Sequence, residues 1–220
     1  MIGRRDLLRA IGASAAISVA GNAHSLAPAR IAFPRDHGAH PPLRTEWWYV
    51  TGRVLAGARE FGFQVTFFRS RVDVAQGLQS GFAAKQLVFA HAAITDVDGA
   101  RLWHDQRIAR EGFDIAEAAQ GDTRLRLRDW SLVRSASGEY AAHVNGAEFA
   151  FDLKIVPTQP VLLQGREGLS RKGPRPDGLT CRDVGLDDGG QDFLLASSDW
   201  RKVSHGESKA QLLCGLDAAV

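Results

Sequence analysis

The sequence predicts an all-β, antiparallel fold, and three observations predict it. Apolar and polar residues alternate with period two through most of residues 45–156, the turn dipeptides Asp98-Gly99 and Asn145-Gly146 interrupt that alternation, and helical periodicity is nearly absent after the first 27 residues. Successive side chains of a strand point to opposite faces, so a strand with one face in a core and the other in solvent or a cavity is written as alternation.

Taken in order, Thr45 to Val54 is aromatic and β-branched. Phe61 to Phe68 places Phe61, Phe63, Val65 and Phe67 on one face and Gln64 and Thr66 on the other, and Gly57-Ala58-Arg59-Glu60 between the two runs reads as a hairpin turn. Gln86 to Val97 is a further strand, turned at Asp98-Gly99 and resumed at Arg101-Leu102-Trp103. Phe113 to Gln120 is compatible with one short helical turn. Thr123 to Val133 reads as one strand, with Leu125, Leu127 and Asp129 opposite Arg124, Arg126, Arg128 and Trp130. Glu139 to Val144 and Glu148 to Val156 flank Asn145-Gly146, and Phe149, Phe151, Leu153 and Ile155 share a face opposite Glu148, Asp152 and Lys154. These segments make a meander of about seven or eight strands, a barrel or a sandwich. Four prolines and three glycines from Pro157 to Pro176 mark a loop, and Asp177 to Val220 shows no convincing alternation.

The first segment is an address. Arg4-Arg5 precedes the apolar run Ile11 to Ala20, and small residues follow near Ala23 and Ala27. This is the layout of an export signal, and the paired arginines resemble the twin-arginine type. The run is too short to span a bilayer. The expectation is a periplasmic or secreted protein that loses residues 1–27.

Composition narrows the function. The chain has 220 residues and a formal net charge of +2, which gives no case for a nucleic-acid partner. Only five of the 27 basic residues are Lys, a bias that reflects genome composition more often than a phosphate-binding surface. Two cysteines, Cys181 and Cys214, form at most one bridge. The sequence contains no G-x-S-x-G elbow, Walker loop, dinucleotide glycine pattern or H-E-x-x-H.

The densest constellation is Arg44-Thr45-Glu46-Trp47-Trp48-Tyr49-Val50-Thr51-Gly52. In a strand, Glu46 and Trp48 share one face and Trp47 and Tyr49 the other. A carboxyl group buried among aromatic rings tends toward its neutral, proton-donating form, and aromatic faces can stabilise a carbocation. Glu46 is thus a candidate general acid, and Trp47, Trp48, Tyr49 and Gln64 are candidates for lining an apolar substrate. The alternative is a set of core aromatics with Glu46 paired to an arginine. His91 lies on an apolar strand face and is a second catalytic candidate, or a hydrogen-bonded core histidine. Arg69 and Arg71 point the same way and could clamp a carboxylate or end a strand in solvent. His37 and His40 lack a third ligand at metal-binding spacing, and Trp103-His104-Asp105 carries little because neighbours on a strand point apart.

Phe33-Pro34-Arg35-Asp36-His37-Gly38-Ala39-His40 followed by Arg44 to Gly52 resembles the opening of the lipocalin-like hydroxyneurosporene synthase family, which includes carotenoid 1,2-hydratases, AttH-like proteins and many exported proteins labelled predicted secreted hydrolases. Phe61 to Arg71, Phe89 to Asp96 and Leu163 to Pro174 fit it in the same order. The resemblance implies an antiparallel lipocalin-like, calycin-type barrel over residues 28–174, the first of the family's two barrel halves. It implies a lipophilic small molecule as ligand, no metal or nucleotide cofactor, addition of water to a C=C bond, and, for some members, association with an ABC-transporter system; peripheral contact with a membrane is a further expectation for this chain. A non-catalytic carrier and a secreted hydrolase are the alternative functions. Residues 175–220 depart from the family pattern and are read as a divergent, irregular tail, out of register or disordered. On that reading the chain is truncated, and this copy is inactive if the missing half carries the chemistry.

Overall fold

The computed structural model describes residues 31–158 and 160–163, together with the backbone of five strands between 169 and 218. The proposed export signal, residues 1–27, lies outside the described residues. The chain is all-β, antiparallel and lipocalin-like. Strand β1 spans Thr45–Ala56, β2 Arg59–Arg71, β3 Gln86–Asp96 and β4 Arg101–Arg110. A second run comprises β5 Ala116–Ala118, β6 Arg124–Leu127, β7 Trp130–Arg134, β8 Tyr140–Asn145 and β9 Ala150–Ile155. Beyond it come β10 Leu162–Leu163, β11 Leu169–Arg171, β12 Thr180–Leu186, β13 Phe193–Leu195, β14 Gly206–Ser208 and β15 Ala210–Ala218.

Two main sheets result. The large sheet runs β10-β12-β15-β1-β2-β3-β4, with β11 also paired to β12, and the small one runs β5-β6-β7-β8-β9. Their ladders are not continuous with one another among the described strands, so they pack as two layers. The reason lies in the alternation. Trp48, Val50 and Val54 of β1, Phe63, Val65 and Phe67 of β2 and Val88, Ala90, Ala92 and Ile94 of β3 turn one way and are buried. Leu125, Leu127, Trp130, Leu132, Val144, Phe151, Leu153 and Ile155 answer from the small sheet, forming one apolar cluster with them. Phe63 and Phe151 meet across the layers at 6.3 Å between ring centroids. Each such large side chain contributes roughly 1.5–3 kcal/mol by leaving water, which is why parity along each strand dictates which face turns inward.

Three expectations need correction. Thr123 to Val133 is a tight hairpin rather than one strand: Leu127 pairs with Trp130 and Arg128 takes φ 59°. The turn changes the parity, so Trp130 joins Leu125 and Leu127 in the core instead of opposing them. Phe113 to Gln120 is not helical, because Phe113 and Asp114 are left-handed at φ 56° and 58° and the segment then pairs as β5. The proline-rich stretch holds two short strands, β10 and β11, at the sheet's margin. The tail, which shows no alternation, still contributes backbone: β15 pairs with β1 from Thr45↔Asp217 to Gly52↔Ala210, and β12 pairs with β15. Ladder hydrogen bonds come from the main chain and need no side-chain pattern.

Candidate functional site

Strand parity divides the site residues read from the sequence into two groups. Glu46, Trp48 and Arg69 lie on the inner face of the large sheet, and all three are buried. Trp47, Tyr49, Gln64 and His91 lie on the outer face, where Trp47, Tyr49 and His91 are half-buried and Gln64 is exposed. A molecule bound on one face cannot touch the residues of the other.

The inner group is a joint. The segment Asp36 to Leu43 crosses the end of the sandwich, and Glu46 and Arg69, both with wholly buried side chains, anchor it. Arg69 Nε donates to Glu46 Oε2 at 2.5 Å, Nη1 to Gln86 Oε1 at 2.6 Å, and Nη2 to the carbonyls of Leu43 at 2.7 Å and His40 at 3.1 Å. The His40 backbone N–H donates to Glu46 at 2.8 Å, and its ring Nδ1 to Glu46 Oε1 at 2.7 Å. Nε2 of the same ring donates to Asp36 Oδ1 at 2.9 Å. Arg69 does clamp a carboxylate, then, but the carboxylate is the protein's own. Arg71 turns to Asp73, at 3.0 Å.

One residue further in, the same segment reaches the small sheet. The His37 carbonyl accepts from Trp48 Nε1 at 2.9 Å and from Thr123 Oγ1 at 3.0 Å, while Ala39 N–H donates to Ala119 O at 2.7 Å. The His37 ring is buried and stacks on Phe33 at 4.3 Å. Gly38 is required by this approach: a Cβ there would lie 2.5 Å from Gln120 O and 2.6 Å from its carbonyl carbon. Gly38→Ala should therefore cost about 1–3 kcal/mol, because rigid backbone must move. Thermal unfolding of that variant beside Gly77→Ala, where nothing lies within 4 Å of an added Cβ, isolates the effect.

The two histidines of this segment are held in opposite directions. Burial pushes His37 down to about 4, and the positive Arg134 adds to the push. Burial also opposes protonation of His40, but its hydrogen bonds to Glu46 and Asp36 outweigh that and raise it above the usual 6.5. His37 and His40 do not converge, and among the described residues no group of three His, Cys, Asp or Glu is placed to hold a metal ion.

The outer face has a different character. Register places Trp47, Phe68, Phe89 and Ile108 in one row across β1 to β4, and Tyr49, Thr66, His91 and Gln106 in the next. The apolar row is ordered: Phe68 and Phe89 stack with centroids 4.5 Å apart and planes within 5°. In the polar row, Gln64 Nε2 lies 3.1 Å from His91 Nε2 and donates to Thr66 Oγ1 at 3.2 Å. Burial lowers His91 below its ordinary value, which favours the neutral imidazole. The outer face thus sets a strip of aromatic surface alongside hydrogen-bonding groups. Phe68 and Phe89 are not among the site candidates that the sequence offers, although the parity of Phe68 with Gln64 and Thr66, and of Phe89 with His91, can be read in it.

Comparison with known proteins agrees with this architecture. Residues 24–181 match the family model described as AttH-like. The chain belongs to the AttH-like family. Among solved structures, an AttH from Nitrosomonas europaea superposes on the AttH-like chain with a TM-score of 0.74 at 32% identity, covering 88% of this chain and 57% of that one. Kievitone hydratase from Nectria haematococca superposes with a TM-score of 0.60 at 9% identity, over 90% of this chain and 55% of that one, a likeness of fold. The AttH-like chain thus spans a little over half the length of these relatives. No curated protein matches it.

Proposed function

We propose that this AttH-like protein holds a lipophilic small molecule against the outer face of the large sheet and adds water to one of its C=C bonds, with His91 as the proton-transfer group. The row Tyr49-Thr66-His91-Gln106, laid directly beside Trp47-Phe68-Phe89-Ile108, carries this reading. Aromatic surface recognises the apolar body of a ligand, and a hydroxyl or carbonyl on it would meet Gln64 or Gln106. In the reaction, protonated His91 gives its proton to one alkene carbon, and the π electrons form that C–H bond. The cation left on the neighbouring carbon is stabilised by the faces of Phe68 and Phe89. Water adds to it through oxygen, and the proton that water then loses returns to His91.

Because His91 is held below its ordinary value, this proton donor is scarce at neutral pH. Turnover should go on rising as the pH falls below 6.5, and should level off only once the pH is under the lowered value of His91. The test combines exported protein with a lipid extract and follows both what stays bound and what gains the mass of one water. His91→Gln should retain the bound molecule and lower turnover by about 10²–10⁴-fold, the usual worth of a general acid.

A carrier without catalysis is the second reading, and one observation favours it: the two rows contain no carboxylic acid, since Glu46 is committed to the opposite face. Tight binding with no hydrated product from the wild-type protein would decide for the carrier. A hydrolase would need an activated nucleophile. Ser131, His143 and Asp152 are neighbours across β7, β8 and β9, and His143 Nδ1 bonds to Asp152, but no hydrogen bond joins Ser131 to His143.

A further inference from the structure

Between β2 and β3 the chain makes a closed loop from Val72 to Lys85. Its neck is shut by Val72 N–H donating to Lys85 O at 3.0 Å, and the Gln76 amide bridges the two ends, donating to Val72 O at 2.9 Å and Lys85 O at 2.8 Å. A loop closed in this way ordinarily buries its apolar side chains or carries none. Here Val74 is 90%, Phe82 75% and Leu78 52% exposed. Beside them, Phe113 stacks on Phe82 at 5.5 Å, presented outward by the left-handed backbone of Phe113 and Asp114. The Arg110 guanidinium lies 3.8 Å from the Phe113 centroid and 5.5 Å from that of Phe82, and it donates to the Phe82 carbonyl at 2.8 Å. That contact holds both rings upright at the surface.

We infer that this cluster is a docking surface for a phospholipid bilayer. Its shape, its charge and its position support that occupant. Val74, Leu78 and Phe82 stand exposed on one loop and Phe113 on a neighbouring turn, and exposed loop side chains can each enter the boundary of head groups and acyl chains without a matching protein surface. Of the nearby acids, Asp73 is offset by Arg71 at 3.0 Å and Asp114 by Arg126 at 2.6 Å, while Glu111 accepts from the Ala118 N–H at 3.2 Å. Arg110 at the rings and exposed Lys85 at the neck then face phosphate groups. The cluster also continues into the ligand face: Arg110 is opposite Leu87, and Ile108 is opposite Phe89, which leads to Phe68 and Trp47. A lipophile could pass from the bilayer to the aromatic row without crossing water, and this last step alone rests on the function proposed above. Among the described residues no helix is long and apolar enough to cross a membrane.

Sedimentation with vesicles made of equal parts phosphatidylcholine and phosphatidylglycerol tests the docking. The wild-type chain should co-sediment. The double variant Val74→Ser, Phe82→Ser should lose at least about tenfold in partitioning, with an unchanged unfolding midpoint because both residues are exposed. Phe82→Leu should retain most of the binding, and added salt should weaken it through Arg110 and Lys85. A wild-type chain left in the supernatant overturns the inference, as does equal sedimentation of the double variant, or a self-association that the double variant abolishes while vesicles bind neither protein. His91→Gln should sediment like wild type, so loss of turnover with intact sedimentation counts against the functional reading and not against docking.

Discussion

Replacing Glu46 by Gln should lower the unfolding free energy by about 3–5 kcal/mol, the cost of removing one partner of a buried ion pair and leaving the other without compensation. Glutamine keeps the volume but presents an NH2 group where the carboxylate accepts. Its donors would face Arg69 Nε at 2.5 Å, or the His40 N–H and Nδ1 at 2.8 and 2.7 Å, all of which are donors themselves. For a chain of this length the midpoint of thermal unfolding should fall by about 10 °C. Urea and thermal unfolding of Glu46→Gln measure it. The double variant Glu46→Leu, Arg69→Met should recover only part of the loss: it removes both charges together, but it leaves the His40 N–H and the Leu43 and His40 carbonyls without these partners. A general acid would behave otherwise: Glu46→Gln would abolish turnover at unchanged stability. The geometry predicts lost stability, since Glu46 meets no surface that a ligand can reach.

Acidification should destabilise the fold through His37. The unfolded chain takes a proton near 6.5, whereas the buried ring resists protonation until about 4. Between those values the unfolded state binds more protons, so stability falls as the pH falls, by up to about 3 kcal/mol over the whole interval. His40 works in the opposite sense. Its folded value is raised, so its contribution is fully present below 6.5 and is lost as the pH rises through the folded value. The two limbs give a stability maximum around the ordinary histidine value. Urea unfolding across the range from about pH 4 to about pH 8 should show it. His37→Gln should flatten the acid limb while sparing the backbone bonds of residue 37, and His40→Gln should flatten the alkaline one. An acid limb that survives His37→Gln would assign the effect to other groups.

Much of the architecture was legible in the chain. Phe61 to Phe68 and Phe149 to Ile155 declare their faces because one side must leave water, and Asn145-Gly146 marks the place of its hairpin, although the chain turns there through a four-residue loop with no positive φ rather than the two-residue turn that dipeptide favours. The hairpin at Arg128 was not legible. An arginine in a left-handed conformation gives no local signal, and the turn is enforced by the depth of Trp130 in the core. The pairing of β15 with β1 was equally silent, since main-chain bonds leave no mark on side-chain order.

The site shows the same division. By itself the sequence determined the chemistry available: a carboxylate, an arginine, a histidine and a set of aromatics on neighbouring strands, in a chain whose motifs resemble one family. Only the tertiary structure decided which of them meet. Glu46 and His91 stand on strands of one sheet, yet a period of two turns Glu46 inward to Arg69 and His40, and His91 outward to Gln64 and the row of Thr66 and Tyr49. Which parity faces the core is a property of two sheets packed together, because burial of the apolar face, summed over both layers, far outweighs the preference of any one side chain.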